Sequence, residues 1–344
     1  MTIPPAVGLK APEILERARC LVEPVLRESV GQLPGSMSRA LGYQLGWCDE
    51  HGAPVRAGRG KGVRPALAVL SAEAVGGRAE DAVRAAAAVE LVHNFSLVHD
   101  DIMDGDATRR HRPTVWAAFG VPIAVLAGDA LLALAMRVLA ASSSPGAARG
   151  TRGFAETLME LLAGQGADLD FEERAEVGCA EYVAMAGGKT AALMGYACAA
   201  GALFGGADEA GVGCLRRFGR HLGLAFQMVD DLLGIWGDPA VTGKPARSDV
   251  RSKKKTFPVI SALASDSSAG QALADWYRRA GRIDEEEVRM AVRWIEQAGA
   301  RERTEAEAQR HLGLALRALD TANPPPRTAA ELCALAHLAT RRDR

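Results

Sequence analysis

Two acidic clusters, each inside a long apolar stretch, constrain this chain more than any other feature: Asp100-Asp101-Ile102-Met103-Asp104, and Asp230-Asp231-Leu232-Leu233-Gly234 with Asp238 just beyond. Carboxylates are costly on a buried helix face unless something compensates them. Two such clusters facing one another would form a pocket for hard divalent cations, and cations gathered there would bind a diphosphate. Around the clusters, Ala, Leu and Val recur with helical spacing and no run alternates with period two. The pattern predicts an all-α chain whose short Gly- and Pro-marked breaks make neighbouring helices antiparallel in a large bundle. Helices are expected over 11–31, 36–47, 63–75, 79–105, 114–141, 149–168, 171–186, 189–204, 208–236, 255–264, 268–280, 283–299, 301–321 and 328–340. Three stretches resist helix: Gly46–Gly62, Thr108–Pro113 and Pro239–Lys255.

Size and charge narrow the classes. A chain of 344 residues makes one large domain or two ordinary ones. Its net charge of −1 gives no overall electrostatic case for nucleic acid or an anionic membrane, so an anionic ligand must be held by local charge. The six cysteines are scattered, without CxxC or zinc spacing, as in a reducing, cytoplasmic setting. Met1–Ala11 lacks the basic start and apolar run of a signal peptide. Val121–Leu134 is apolar but carries Asp129, and is expected to be a buried helix rather than a membrane span.

On a helix Asp100 and Asp104 share a face, with Asp101 about 100° away. The first and fifth carboxylates can therefore grip the same hard cations. A solvated acidic helix end is the bland alternative, which the apolar neighbours Phe95, Leu97, Val98, Ile102 and Met103 disfavour. Arg109, Arg110, His111 and Arg112 follow directly; a lone basic run is usually solvated, but planar guanidiniums beside an acidic cluster suit a phosphate. Asp230 and Asp231 project from a helix that Gly237 and Pro239 end, ahead of a loop carrying Lys244 and then the run Lys253, Lys254 and Lys255, more often a solvated charge run but here placed so that one of the three is a site candidate. Gly60-Lys61-Gly62-Val63-Arg64-Pro65 puts two cations at a loop-to-helix junction, a good anion site. Gly187-Gly188-Lys189-Thr190 has the end of a phosphate-loop signature but not its start, because Val183 stands where the first glycine belongs. His93, and the pair Gln165 and Asp168, would on their own be structural.

Together these residues resemble the trans-isoprenyl diphosphate synthase (polyprenyl synthetase) family. The first aspartate-rich motif and its arginine pair match Asp100, Asp101, Asp104, Arg109 and Arg110; the second begins at Asp230 and Asp231. The G-K-x-x-R-P, K-T and F-Q signatures match in family order, between about residues 60 and 262. The resemblance implies an all-α bundle around a central cavity, one domain over 1–344, and a homodimer. It implies Mg²⁺, with Mn²⁺ as a substitute, held by Asp100, Asp104 and Asp230 and supported by Asp101 and Asp231. Arg109, Lys189, Lys244 and Lys254 would bind an allylic diphosphate; Lys61, Arg64, His93 and Arg110 would bind isopentenyl diphosphate. Thr190 and Gln227 would line the space where the allylic cation develops, and with Lys189 they make the implied catalytic residues. One departure stands out: Gly234 occupies the position of a third aspartate, for which Asp238 is the expected compensation. The family's control points for product length fall at Phe95 and Ser96. Five residues of helix span about 7.5 Å, so a bulky Phe95 beside a small Ser96 points to a short product, C20 rather than C15. A terpene cyclase on the same fold would not need the isopentenyl site, and a non-catalytic partner subunit would have lost acidic positions. No partnership with nucleic acid and no integral membrane segment is expected.

Overall fold

The computed structural model describes residues 8–55, 60–239, 247–279, 281 and 283–340. The sequence breaks as its punctuation dictates. Helices α1 (Ala11–Gly31), α2 (Gly35–Gln44) and α3 (Val63–Ala74) lead through a single 3₁₀ turn, Ala79–Ala82, into α4 (Val83–Met103). A small hairpin follows, β1 (Thr108–Arg109) pairing antiparallel with β2 (Arg112–Pro113). The expected 114–141 helix is two helices, α5 (Val115–Phe119) and α6 (Val121–Ala140). Gly120 between them has φ +84, a conformation that a side chain resists. Then come α7 (Ala147–Glu173), α8 (Cys179–Ala186), a π-helical segment (Gly187–Ala191), α9 (Ala192–Phe204) and α10 (Glu209–Trp236). The chain closes with α11 (Ser248–Arg251), α12 (Phe257–Leu263), α13 (Ser268–Arg278), α14 (Glu285–Gln297), α15 (Ala300–Ala322) and α16 (Pro326–Thr340).

The chain forms two compact units whose boundaries fall inside helices. The first comprises Met1–Glu156, Leu193–Gly219 and Ala318–Leu335. At its centre α4 is buried nearly all round, because its run Ala85–Val89 is small enough to admit α1, α3 and α6 against it. Its last buried residues include Phe95, Val98 and Asp101, so the apolar core runs straight up to the first acidic cluster. Helix α6 is long and apolar enough to cross a membrane by composition, but Ala124, Ala127, Leu131, Leu134, Ala135 and Leu139 are packed into this core.

The second unit comprises Thr157–Ala192, Arg220–Arg317 and Ala336–Arg344. One apolar cluster joins Ile235, Val250, Val259, Leu273, Trp276, Val288 and Ile295. The other joins Phe171, Tyr182, Met185, Leu224, Met228, Phe257 and Ile260. The latter floors the second acidic cluster, placing Tyr182 and Phe257 beneath Asp231.

Candidate active site

In the first unit, the cluster divides as helical geometry requires. Asp101 is buried, Asp100 half-buried, and Asp104 exposed at the residue that closes α4. The turn beyond is pinned by the Asp106 carbonyl, which accepts from the Thr114 hydroxyl and the Trp116 indole, each at 2.9 Å. The hairpin then reverses through Arg110 and His111, at φ 52 and φ 61. Two positive φ values are what a two-residue hairpin turn demands, though side-chain-bearing residues adopt them at a cost of roughly 1–2 kcal/mol each.

That turn distributes the basic run. Arg109 turns back: its Nε donates to Asp101 Oδ1 at 2.7 Å, and its Nη2 forms an ion pair with the same oxygen at 2.7 Å. Arg110 lies against Gly60, where a Cβ would stand 3.2 Å from both terminal guanidinium nitrogens. Arg112 stacks its guanidinium 4.1 Å from the Tyr43 ring centroid and donates to the Cys48 carbonyl, a structural role. The Lys61 loop and Arg110 therefore meet at Gly60. Arg64 Nη1 donates to His93 Nε2 at 3.3 Å, which leaves the histidine proton on Nδ1. Burial, then the charges of Arg64, Arg110 and Arg109, hold His93 well below the ordinary imidazole value, so it is neutral. Beneath them lies Glu90, raised by burial and pulled down by Arg64 and Arg110. Asn94 donates to Glu90 Oε1 at 3.3 Å, and Gln44 to Asn94 at 3.2 Å.

In the second unit, Asp231 is buried and Asp230 exposed on α10. Asp231 accepts from the Tyr182 hydroxyl, from Gln227 Nε2 at 3.0 Å and from the Phe257 amide at 3.0 Å. Burial pushes its carboxyl up to about 7 against the pull of those three donors. Gln227 turns its carbonyl the other way to accept from the Thr190 hydroxyl at 2.7 Å. The π-helical segment aims Thr190 and Lys189, and π-bulges recur at functional sites. The segment is backed by α7 at backbone contact distance: a Cβ on Gly188 would stand 2.6 Å from the Glu160 carbonyl oxygen.

Asp168 binds Lys189 Nζ at 2.6 Å and Lys254 Nζ at 3.6 Å. Although burial raises it, these two ammoniums dominate and lower its pKa. Of the lysine run, Lys253 donates to the Trp276 and Arg279 carbonyls at the end of α13. Lys255 donates to the Phe171 and Glu172 carbonyls at the end of α7. Only Lys254 of the three reaches Asp168. Lys244 lies outside the described residues.

Sequence reasoning missed Glu90, Tyr182 and Asp249, and left Asp168 as structural. Glu90 was findable, since a charge three and four residues before His93 and Asn94 shares their helix face. Tyr182 carries no such signal. Asp249 lies against Gly234: a Cβ there would stand 1.9 Å from Asp249 Oδ2, so that carboxylate fills the space the glycine leaves.

The donor set fits a hard divalent cation. Asp101 Oδ2 is buried without a hydrogen-bond partner among the described residues, a cost that a nearby cation would relieve. The available ligands are carboxylate oxygens, suited to a hard cation. No group of three or more His, Cys, Asp or Glu is gathered closely enough to cage an ion among the described residues.

An all-α chain with two carboxylate clusters, each backed by fixed cations, has the donor set of a metal-assisted diphosphate-binding enzyme. The polyprenyl synthetase family model matches residues 47–295. The chain is 47% identical to a (2E,6E)-farnesyl diphosphate synthase of Mycobacterium tuberculosis, over 94% of this chain and 91% of that one. It is 44% identical to a geranylgeranyl diphosphate synthase of the same organism, over 96% and 93%. The crystal structure of a polyprenyl synthetase from Streptomyces coelicolor A3(2) superposes with TM-score 0.90 at 46% identity, covering 95% of this chain and 98% of that one. A geranylgeranyl pyrophosphate synthase from Corynebacterium glutamicum, complexed with isoprenyl diphosphate and magnesium, superposes with TM-score 0.83 at 28% identity, covering 97% and 100%. The chain belongs to the polyprenyl synthetase family.

Proposed function

We propose that this protein is a trans-prenyltransferase: a Mg²⁺-dependent synthase that condenses isopentenyl diphosphate head-to-tail with an allylic diphosphate to give a short-chain product, geranylgeranyl or farnesyl diphosphate. The observation that carries the reading is the second cationic site. Arg64, His93 and Arg110 gather with the Lys61 loop into a cationic group besides the acidic cluster, which supports a second diphosphate site.

In this reading Asp100, Asp104 and Asp230 ligate Mg²⁺, while Asp101 and Asp231 support them from their own hydrogen-bonded positions. Bound Mg²⁺ supplies charge neutralisation for a departing diphosphate. Lys189 and Lys254, both paired with Asp168, place cations on the allylic diphosphate, and Arg109 and Lys244 are assigned to the same diphosphate. The Thr190 hydroxyl hydrogen is committed to Gln227, so the oxygen's negative end is left to stabilise the developing allylic cation. The isopentenyl double bond attacks, and the released diphosphate takes the proton. Neutral His93 presents a hydrogen bond to isopentenyl diphosphate where a third or fourth cation would overcharge the site.

Phe95, buried on α4, supports a C20 product with Ser96 beside it. The names of the similar proteins span both C15 and C20. The test is incubation with Mg²⁺, isopentenyl diphosphate and each of the C5, C10 and C15 allylic diphosphates, with products sized by mass. An allylic substrate consumed alone to give hydrocarbon would mean a cyclase, and an inert chain a partner subunit.

We also propose a homodimer in the cytoplasm, where six free thiols stay reduced. The outward side of α6 presents Val121, Val125, Leu126 and Met136, from 37% to 52% exposed, an apolar stripe suited to a second copy. Leu126→Glu is expected to halve the mass measured by light scattering; an unchanged mass places the interface elsewhere.

A further inference from the structure

His99, immediately before the first aspartate of its cluster, has no part in the chemistry above. Its imidazole lies over the backbone of Gly128 on α6, where a Cβ would stand 2.1 Å from Nε2 and 2.3 Å from Cδ2. Only glycine leaves room for the ring. Nε2 donates to the Val125 carbonyl at 3.2 Å, which fixes the tautomer and the ring's orientation. One turn earlier on α4, Phe95 packs against this imidazole in a T-shaped arrangement, with ring centroids 4.9 Å apart. Phe95 is 5% exposed. Ser96 beside it is turned back on its own helix, donating to the His93 carbonyl at 2.9 Å. The Phe95 ring is therefore held by His99, and His99 by a notch in a different helix.

We propose that His99 and Gly128 are positioning residues for product length: the Gly128 notch seats His99, and His99 fixes Phe95 as a stop that cannot yield. This rests on the reading of the chain as an elongating synthase in which Phe95 limits the prenyl tail. Each elongation adds five carbons, whose burial is strongly favourable. A phenylalanine ring is displaced to a neighbouring rotamer at much smaller cost. An unsupported Phe95 would thus give way to a growing chain, so a sharp stop needs a rigid support behind it.

The experiment sizes products by mass spectrometry for wild type, Phe95→Ala, His99→Ala, Gly128→Ala, and the doubles Phe95→Ala/His99→Ala and His99→Ala/Gly128→Ala. Loss of an edge-on ring pair and a hydrogen bond is expected to raise the next longer product, relative to the main one, roughly tenfold in His99→Ala. Phe95→Ala is expected to lengthen the product further, and His99→Ala to add nothing in that background. Gly128→Ala should displace His99 and give the longer product with a lowered melting temperature, while His99→Ala/Gly128→Ala recovers the melting temperature because the clash is gone. If Phe95→Ala lengthens the product but His99→Ala does not, the support is overturned while the ruler survives. Additive lengthening in Phe95→Ala/His99→Ala overturns the action through Phe95. An unchanged product from Phe95→Ala overturns the ruler and this proposal with it, and wild type that makes no condensation product overturns the function itself.

Discussion

Helix α7 offers a paired test of how the π-helical segment is held. Gly164 and Gly166 are two residues apart on the same helix, yet their surroundings are opposite. A Cβ on Gly164 would stand 2.2 Å from the Lys189 amide nitrogen, 2.8 Å from the Gly188 carbonyl carbon and 2.9 Å from the Met185 carbonyl oxygen. A Cβ on Gly166 would meet nothing within 4 Å. Replacing either glycine by alanine gains about 1 kcal/mol of helix propensity. At position 164 overpacking opposes that gain by about 1–3 kcal/mol, toward the upper end because every obstructing atom is backbone and no side chain can swing aside. Gly166→Ala should therefore be about 1 kcal/mol more stable than wild type, and Gly164→Ala about 1–2 kcal/mol less. A displacement of Lys189 and Thr190 on the order of 1 Å should also lower kcat by about 100-fold in Gly164→Ala alone. Urea unfolding midpoints with steady-state kinetics test both halves. A Gly164→Ala protein as stable and as active as Gly166→Ala would refute the claim that α7 positions Lys189 by backbone contact.

Arg109→Ala leaves Asp101 buried without its partner and should cost about 3–5 kcal/mol of stability, most of it recovered in Arg109→Ala/Asp101→Asn; denaturant titration of the single and double variants measures this. His93 is held neutral in the fold, whereas the unfolded chain takes up a proton at this residue below about pH 6.5. Folding stability should therefore fall as pH drops below 6.5, by at most about 1.4 kcal/mol per pH unit for this group, and His93→Gln should flatten that part of the melting profile. Gly234→Asp, which restores the expected third aspartate, should lose activity because Asp249 already occupies that space, and Gly234→Asp/Asp249→Gly should regain part of it in the same product assay.

Helices were legible where one physical signal dominated. The spacing predicted 11–31 and 208–236, and the structure has Ala11–Gly31 and Glu209–Trp236. The prediction overran where a backbone conformation decided the matter: the 114–141 pattern continues through Gly120, but its positive φ ends α5 there. Within the acidic motif, the angular argument for Asp100, Asp101 and Asp104 foresaw that one carboxylate would face away from the other two. It could not foresee that Arg109 would be the partner of the buried one, because that depends on a hairpin turn made by two residues that rarely adopt positive φ. Tyr182 was invisible for a related reason: a single tyrosine in an apolar helix has no pattern, and only the packing of α8 brings its hydroxyl to Asp231.

Gly234 shows most clearly where linear reading stops. A motif treats its positions as one helix face, so a missing carboxylate invites a search for a substitute nearby, and Asp238 is the nearest. Asp238 is exposed, beyond the end of α10. The carboxylate that fills the glycine's space is Asp249, which lies in α11, within the Pro239–Lys255 stretch. Its charge adds to burial in raising the carboxyl of Asp231 and the hydroxyls of Tyr182 and Tyr277. The substitution at 234 is thus half of a pair: a side chain there and the Asp249 carboxylate exclude one another, so the glycine is the condition for the acid's present position. Such a dependence has no sequence period and no fixed spacing, and it becomes readable only once the two backbones are placed.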